Sequence, residues 1–312
     1  MIGHQATRRI IQVAVVAAIF AVLVWRLGTG PFLDGLRLVD PFAVIAAMVL
    51  GAITTLACAW RWRAVSRSLG VEMTFTQATA GCYRSLFLNT TLPFGVAGDV
   101  HRAVLHSRTS GDSRGARSVA WERGSGQAVQ LAFTVVVLLL LPSPVRSVMV
   151  IVAVVITAIA IILVAGISFT RPSTATAPGR ILKAVRDDVR WGLMARQTWP
   201  VLVTASFIII LGNIATFIVA ARIVGTNISL ISLATIALLL LAAMLIPLSI
   251  AGWGIREGAA AWIFAAVGLG ASAGVTTAVV YGVMILIASL PGAAILAAES
   301  LRKATTTGVV HG

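Results

Sequence analysis

Apolar residues arrive in long blocks divided by short polar segments, and not at the short intervals of a soluble core. Ile10–Leu27, Pro41–Trp60, Ala116–Leu141, Val148–Phe169, Trp199–Ala220 and Thr276–Ala298 predict spanning helices, each close to the ~20 residues that cross the hydrocarbon layer. Two further blocks are interrupted. Phe75–Leu92 carries Arg84, Asn89, Thr90 and Thr91 and stops at Pro93-Phe94-Gly95-Val96-Ala97-Gly98. Irregular backbone at membrane depth must be shielded by protein or water. With basic segments at both its ends, this block predicts a re-entrant hairpin. Leu230–Leu248 breaks at Pro247 to Gly254, before a helix over Ile255–Leu269. That region suits either a hairpin opening the other way plus one span, or three short crossings.

The longest polar stretch, Thr170–Gln197, holds Ile181, Leu182, Val185, Val189 and Leu193 at helical spacing among Arg180, Lys183, Arg186, Arg190 and Arg196. It predicts a helix along the membrane surface. The expected fold is therefore all-α: one polytopic transmembrane bundle over residues 1–312, with six or more spans and one or two re-entrant segments. Its halves, about 1–169 and 198–298, are joined by the surface segment 170–197.

Composition agrees: 59% of the 312 residues are hydrophobic and 11% charged, against about 45–50% and 25% in soluble domains. The net charge of +14 lies mostly between the apolar blocks, the positive-inside pattern of a membrane protein and not a nucleic-acid footprint. Arg61, Arg63 and Arg67, then Arg102, Arg108, Arg114 and Arg117, then Arg302 and Lys303 mark inner ends. A multi-pass protein of the cytoplasmic membrane with both termini inside follows. Arg8 and Arg9 before Ile10 imitate a secretory signal, but Trp25-Arg26-Leu27 stands where small cleavage-site residues belong, so a retained first span is expected.

Several chemistries find no support. Cys58 and Cys82 sit in apolar surroundings without a Cys-x-x-Cys pattern and read as small buried hydrophobes. His101 and His106 lack companions at metal-ligand spacing. Phosphate-binding loop, nucleophile elbow and zinc-protease motifs are missing from the sequence. No metal, cofactor, ATP-driven step or enzymatic activity is expected.

The two breaks match in register. Gly98 and Arg102 follow Pro93 at five and nine residues, as Gly252 and Arg256 follow Pro247, an offset of 154 residues. Two halves with one broken segment each suggest an inverted repeat, an architecture that places a site near the bilayer midplane. Gly95, Gly98, Gly252 and Gly254, with the two prolines, are the candidate hinges.

Asp99 and Arg102, three residues apart on one helical face, suit either an ion pair that engages a phosphate headgroup or a helix-end charge with a surface pair. Ser118, Glu122, Gly126 and Gln130 recur at steps of four, and a polar stripe on a spanning helix must face protein or a wet cavity. Glu122 is thus a partner for Arg102 or Arg256, a proton acceptor, or an interfacial acid. Arg256 and Glu257 are the counterparts in the second half, and Arg84 and Asn89 line the first hairpin. Asn213 is helix-packing glue or a site residue.

Three motifs in order carry a resemblance: Asn89-Thr-Thr-Leu-Pro-Phe-Gly-Val-Ala-Gly-Asp-Val-His-Arg102, then Trp121-Glu122-Arg123, then Ile246-Pro-Leu-Ser-Ile-Ala-Gly-Trp-Gly-Ile-Arg-Glu257. They resemble signatures of the lysylphosphatidylglycerol synthase transmembrane-region family, which includes the flippase half of bacterial multiple-peptide-resistance proteins. Pro93-Phe94-Gly95 departs from the Pro-Gly-Gly run usual there. The soluble aminoacyl-transferase domain of two-part members has no counterpart in these residues. The resemblance implies lipid translocation without lipid aminoacylation.

The expected function is translocation of an anionic phospholipid or polyprenyl-linked glycolipid. In that role Arg102 and Arg256 hold the headgroup, and Asp99, Glu122 and Glu257 balance charge. The expected partners are membrane lipids with anionic headgroups, with membrane glycosyltransferases or a second copy as further possibilities. Two rival readings stand beside it: a secondary transporter of a small anion, and a non-transporting scaffold for glycosyltransferases.

Overall fold

The structure, a computed structural model, describes residues 25, 28–92, 95–140, 183–245 and 254–308, with the side chains of residues 191 and 302–308 left out. The predicted spans Ile10–Leu27 and Val148–Phe169, the hinge prolines Pro93 and Pro247, and Gly252 lie outside the described residues, apart from Trp25.

Among the described residues every long element is a helix. They are α1 (Gly30–Arg37), α2 (Pro41–Ser68), α3 (Phe75–Thr91), α4 (Ala97–Ser110), α5 (Arg114–Leu140), a π-helical turn (Asp188–Leu193), α6 (Trp199–Ile223), α7 (Leu230–Ala243), α8 (Ile255–Ala266) and α9 (Ala271–Gly308). Local sequence sets the ends. Asp40 accepts the Ala43 N–H at 2.7 Å ahead of Pro41, which opens α2. Thr74 and Gln77 form a reciprocal capping box on α3, while Gly111, at φ 71°, ends α4 in the left-handed region.

Among the described residues four helices, α2, α5, α6 and α9, are long and apolar enough to cross a membrane. The helices α3, α4, α7 and α8 have 17, 14, 14 and 12 residues and fall short of the ~20 needed. Between the first two predicted blocks lies a short helix, Gly30–Arg37, with buried Gly35 against Val279 of α9. Against the sequence expectation, helix α2 continues past Trp60 to Ser68, because Arg61 and Ser66 find hydrogen-bond partners inside the protein.

The core lies where α6 to α9 meet. Phe217 packs edge-on against Phe264 and Tyr281 at 6.4 and 5.9 Å between ring centroids, surrounded by Leu233, Leu240 and Met284. In hydrocarbon, small residues let helices approach closely and gain dispersion contacts. Gly51 meets Ala288, Gly212 meets Thr54, and Gly292 lies against the Tyr83 carbonyl.

The segment before the first break is one continuous helix, α3, and α4 returns antiparallel to it. Gly98 lies on the Ser85 backbone, and further along Gly81 nears the Arg102 side chain. On its other flank α4 rests on Gly115 of α5, where a Cβ would stand 2.6 Å from the His106 backbone. The connector docks through Asp188, which accepts the Trp121 indole N–H at 2.9 Å and pairs with Arg117 at 3.3 Å. Val189 and Leu193 there pack with Val65, Leu69 and Leu202.

The close approach at Gly98 can be tested against an open glycine. Gly98→Ala has no room beside Ser85 and should lower stability by about 1–3 kcal/mol through overpacking. Gly124→Ala, on α5 with nothing within 4 Å, should gain up to about 1 kcal/mol from helix propensity. Thermal unfolding in detergent micelles should rank the proteins Gly124→Ala at or above wild type, and Gly98→Ala below.

Candidate functional site

Glu122 is fully buried on α5 and holds one guanidinium on each oxygen. Arg61 of α2 donates to Oε1 from Nη2 and Nε at 2.5 and 3.0 Å. Arg102 of α4 donates to Oε2 from Nη2 at 2.6 Å. Arg102 and Glu122 thus form one buried unit with Arg61, and Gly126 leaves the space that Arg61 occupies. A third helix joins through Ser206 of α6, which accepts from Arg61 Nη1 at 2.8 Å.

The chain of charges continues. Arg102 Nη2 lies 3.2 Å from Asp99, and Asp99 pairs with Arg123 at 3.0 Å. Asp99 also accepts from the Ser85 hydroxyl at 2.7 Å and the Asn89 amide at 3.1 Å. Asn89 in turn accepts the Gly98 N–H at 2.8 Å, which ties the start of α4 to the end of α3. Asp99 is therefore a network member and not a simple helix cap.

Arg102 stacks over the Trp62 ring, 4.5 Å from its centroid, and donates to the Cys82 sulfur at 3.2 Å. Cys58 and Cys82 are both free thiols and face each other at 3.2 Å. On the neighbouring turn of α4, the Ser66 hydroxyl donates to the Val71 carbonyl, so His106 Nε2 supplies the proton of their 2.9 Å contact. Burial, aided by the Arg102 charge, lowers the His106 pKa.

These groups border a polar cavity of about 200 Å³ lined by Arg61, Asn89, Asp99, Arg102, Arg123 and Asn213 among others. At 1.5 Å per helical residue, Arg61, Arg102 and Glu122 lie about 10–12 Å along their helices from the basic ends at Ser68, Ser110 and Arg114. By the same rise Asn89 lies about 21 Å along α3 from Phe75, and Thr54 about 21 Å along α2 from Ser68. Three guanidiniums meet two carboxylates here, leaving one uncompensated positive charge.

The other predicted residues separate. Arg256 donates to Glu257 at 2.8 and 2.6 Å, and Glu257 accepts the Gly254 N–H at 2.6 Å, which opens α8. Gly254 itself holds φ 93°, a conformation that suits glycine. That pair is buried, with Arg256 lying over Gly282 of α9, and it does not line the cavity. Arg84 pairs instead with Glu299 of α9. The stripe on α5 faces protein throughout: Ser118 accepts from the Trp62 indole at 3.2 Å, and Gln130 donates to the Leu241 carbonyl at 3.1 Å.

Sequence reasoning assigned Arg61 to topology alone and overlooked its place at the centre. Thr54, Cys58, Arg61 and Val65 follow at steps of four, three and four, a spacing that marks one face and would have turned Arg61 inward. Ser85 and Ser206 carried no comparable signal.

Removing the shared acid should be more damaging than removing an acid–base pair. Glu122→Gln leaves two buried guanidiniums without their counter-ion, and breaking buried pairs costs about 3–5 kcal/mol. Thermal unfolding in detergent should show a large loss for Glu122→Gln, and a smaller one for Glu122→Gln combined with Arg61→Met.

No curated protein matches the chain. The sequence profile of the lysylphosphatidylglycerol synthase TM region, however, matches residues 9–292, which take in α1 to α8, most of α9 and every side chain of the cavity. With four apolar helices of membrane-crossing length and that match, the chain is a membrane protein that belongs to the lysylphosphatidylglycerol synthase TM region family.

Proposed function

We propose that this protein translocates a lipid whose headgroup carries an anionic phosphate, moving it across the cytoplasmic membrane through the cavity at Arg102. The observation that carries this reading is the uncompensated positive charge of the cavity. A charge held at membrane depth is expensive. A phosphodiester brings one negative charge and several acceptor oxygens, and guanidinium groups match phosphate geometry. A volume of about 200 Å³ suits a headgroup while the acyl chains stay in the bilayer. The protein in this role moves its lipid and does not react with it.

The topology that fits puts the basic ends of α2 to α5 in the cytoplasm, with both termini on that side. Then α3 and α4 enter and leave on one face as a re-entrant pair, and Gly95 and Gly98 serve as its hinge. The inverted-repeat reading gains support from element bounds. Adding 154 to α2 and α3 gives 195–222 and 229–245, against Trp199–Ile223 and Leu230–Ala243 for α6 and α7. Asn213 of α6 lining the cavity fits a site between halves. Arg256 and Glu257, buried apart from it, are proposed to hold the second half's hinge at Gly254 and not the headgroup.

Proteoliposomes containing headgroup-labelled phosphatidylglycerol should exchange the label between leaflets faster than protein-free vesicles. Arg123→Gln is the sharpest variant, because Arg123 is half-exposed and its loss leaves Glu122 paired. It should slow exchange about tenfold, the effect of one charge-assisted hydrogen bond of ~1.5 kcal/mol. Equal exchange with Arg123→Gln and wild type contradicts the reading. Release of entrapped inorganic phosphate without lipid exchange favours a small-anion transporter instead.

A further inference from the structure

Arg102 borders two cavities. Beside the one already described, nearer the basic end, lies a recess of about 240 Å³ lined by Trp62, Gln77, Arg84, His101, Arg102 and His106 among others. Its outer wall includes Gln77 and Thr109, within about 3 Å of helix ends by rise per residue, and Arg84 lies about 13 Å in. The two cavities therefore overlap in depth at Arg102, which divides them.

The chemistry of the recess points to an oxyanion. Arg84 and Arg102 line it, and Glu72 stands exposed at its rim. Among the described residues, neither arginine's buried Nε has a hydrogen-bond partner. Arg102 as a whole is 3% exposed. Buried donors left unsatisfied are uncommon and call for an explanation, and one phosphate has enough acceptor oxygens to serve both. Glu299 is the resident counter-ion of Arg84, reaching it from α9 while itself 42% exposed. An arriving phosphate competes with a carboxylate that water can readily take back.

We infer that this recess is a loading site for a phosphate oxyanion, which passes from Arg84 to Arg102 and then to Arg123 in the central cavity. The inference rests on the translocation reading above and adds the route by which the headgroup enters. Arg84 is in this view a binding residue, and its pair with Glu299 keeps the cation occupied when the recess is empty.

The test compares Arg84→Gln, Glu299→Gln and Arg123→Gln in the same proteoliposomes, followed both by label exchange of headgroup-labelled phosphatidylglycerol and by release of entrapped radiolabelled inorganic phosphate. Arg84→Gln should slow movement about tenfold, while Glu299→Gln, which frees the cation, should equal or exceed wild type. Arg84-dependent lipid exchange assigns the recess to a headgroup, and Arg84-dependent phosphate release assigns it to the free ion. Arg84→Gln matching wild type while Arg123→Gln is slow overturns the recess and leaves the translocation reading standing. Equal slowing by Arg84→Gln and Glu299→Gln makes the pair a mere tether and also overturns it. If no variant slows either species, both readings fall.

Discussion

The buried carboxylate of Glu122, with a guanidinium on each of its oxygens, is the interaction on which this part of the bundle depends. It joins α2, α4 and α5 at one point, and through Ser206 it reaches α6. Buried ions are tolerated only with good geometry and full hydrogen bonding, so helices of otherwise apolar surface are held in one register. Close glycine contacts at Gly98, Gly115 and Gly126 serve the same end by letting charged side chains and backbones come together. What remains after pairing is one positive charge beside the cavity, and the proposed lipid translocation rests on that charge.

Positions related by the 154-residue offset differ in what they hold. Arg102 and Arg256 correspond under the 154-residue shift, yet the first joins a five-member ionic network and the second pairs with its own neighbour, Glu257. Positions matching Glu122 and Arg123 are Thr276 and Thr277 in α9, which carry no charge. Ionic chemistry therefore gathers on α2, α4 and α5, while α6 to α9 supply the aromatic and aliphatic core around Phe217 and Tyr281. Asn213 shows that α6 still contributes a polar wall to the cavity.

Much of the membrane character was legible in the chain, because hydrocarbon imposes length and apolarity on a spanning helix. Ser118, Glu122, Gly126 and Gln130 were legible as an inward stripe because helical periodicity puts them on one face. Asp99 and Arg102 were legible as a local pair for the same reason. Arg61 was not, since the rule that cations mark inner ends already explained it. The pair of Arg84 with Glu299 spans 215 residues and leaves no trace in any local pattern. Nor did spacing foretell that Arg256 and Glu257 stay together instead of joining the cavity; only the packing of α8 on α9 decides that. Of the two cysteines expected to be buried, Cys82 is buried and Cys58 half-buried, and their approach to each other and to Arg102 belongs to the tertiary structure alone.

The most direct measurement is an experimental density map of the protein in nanodiscs of phosphatidylglycerol, inspected at the Arg102 and Arg123 guanidiniums. A phosphate within hydrogen-bond distance of either, with acyl chains running to the bilayer, is the predicted result. A central cavity holding only water, with every resolved lipid confined to the outer surface of the helices, would contradict it.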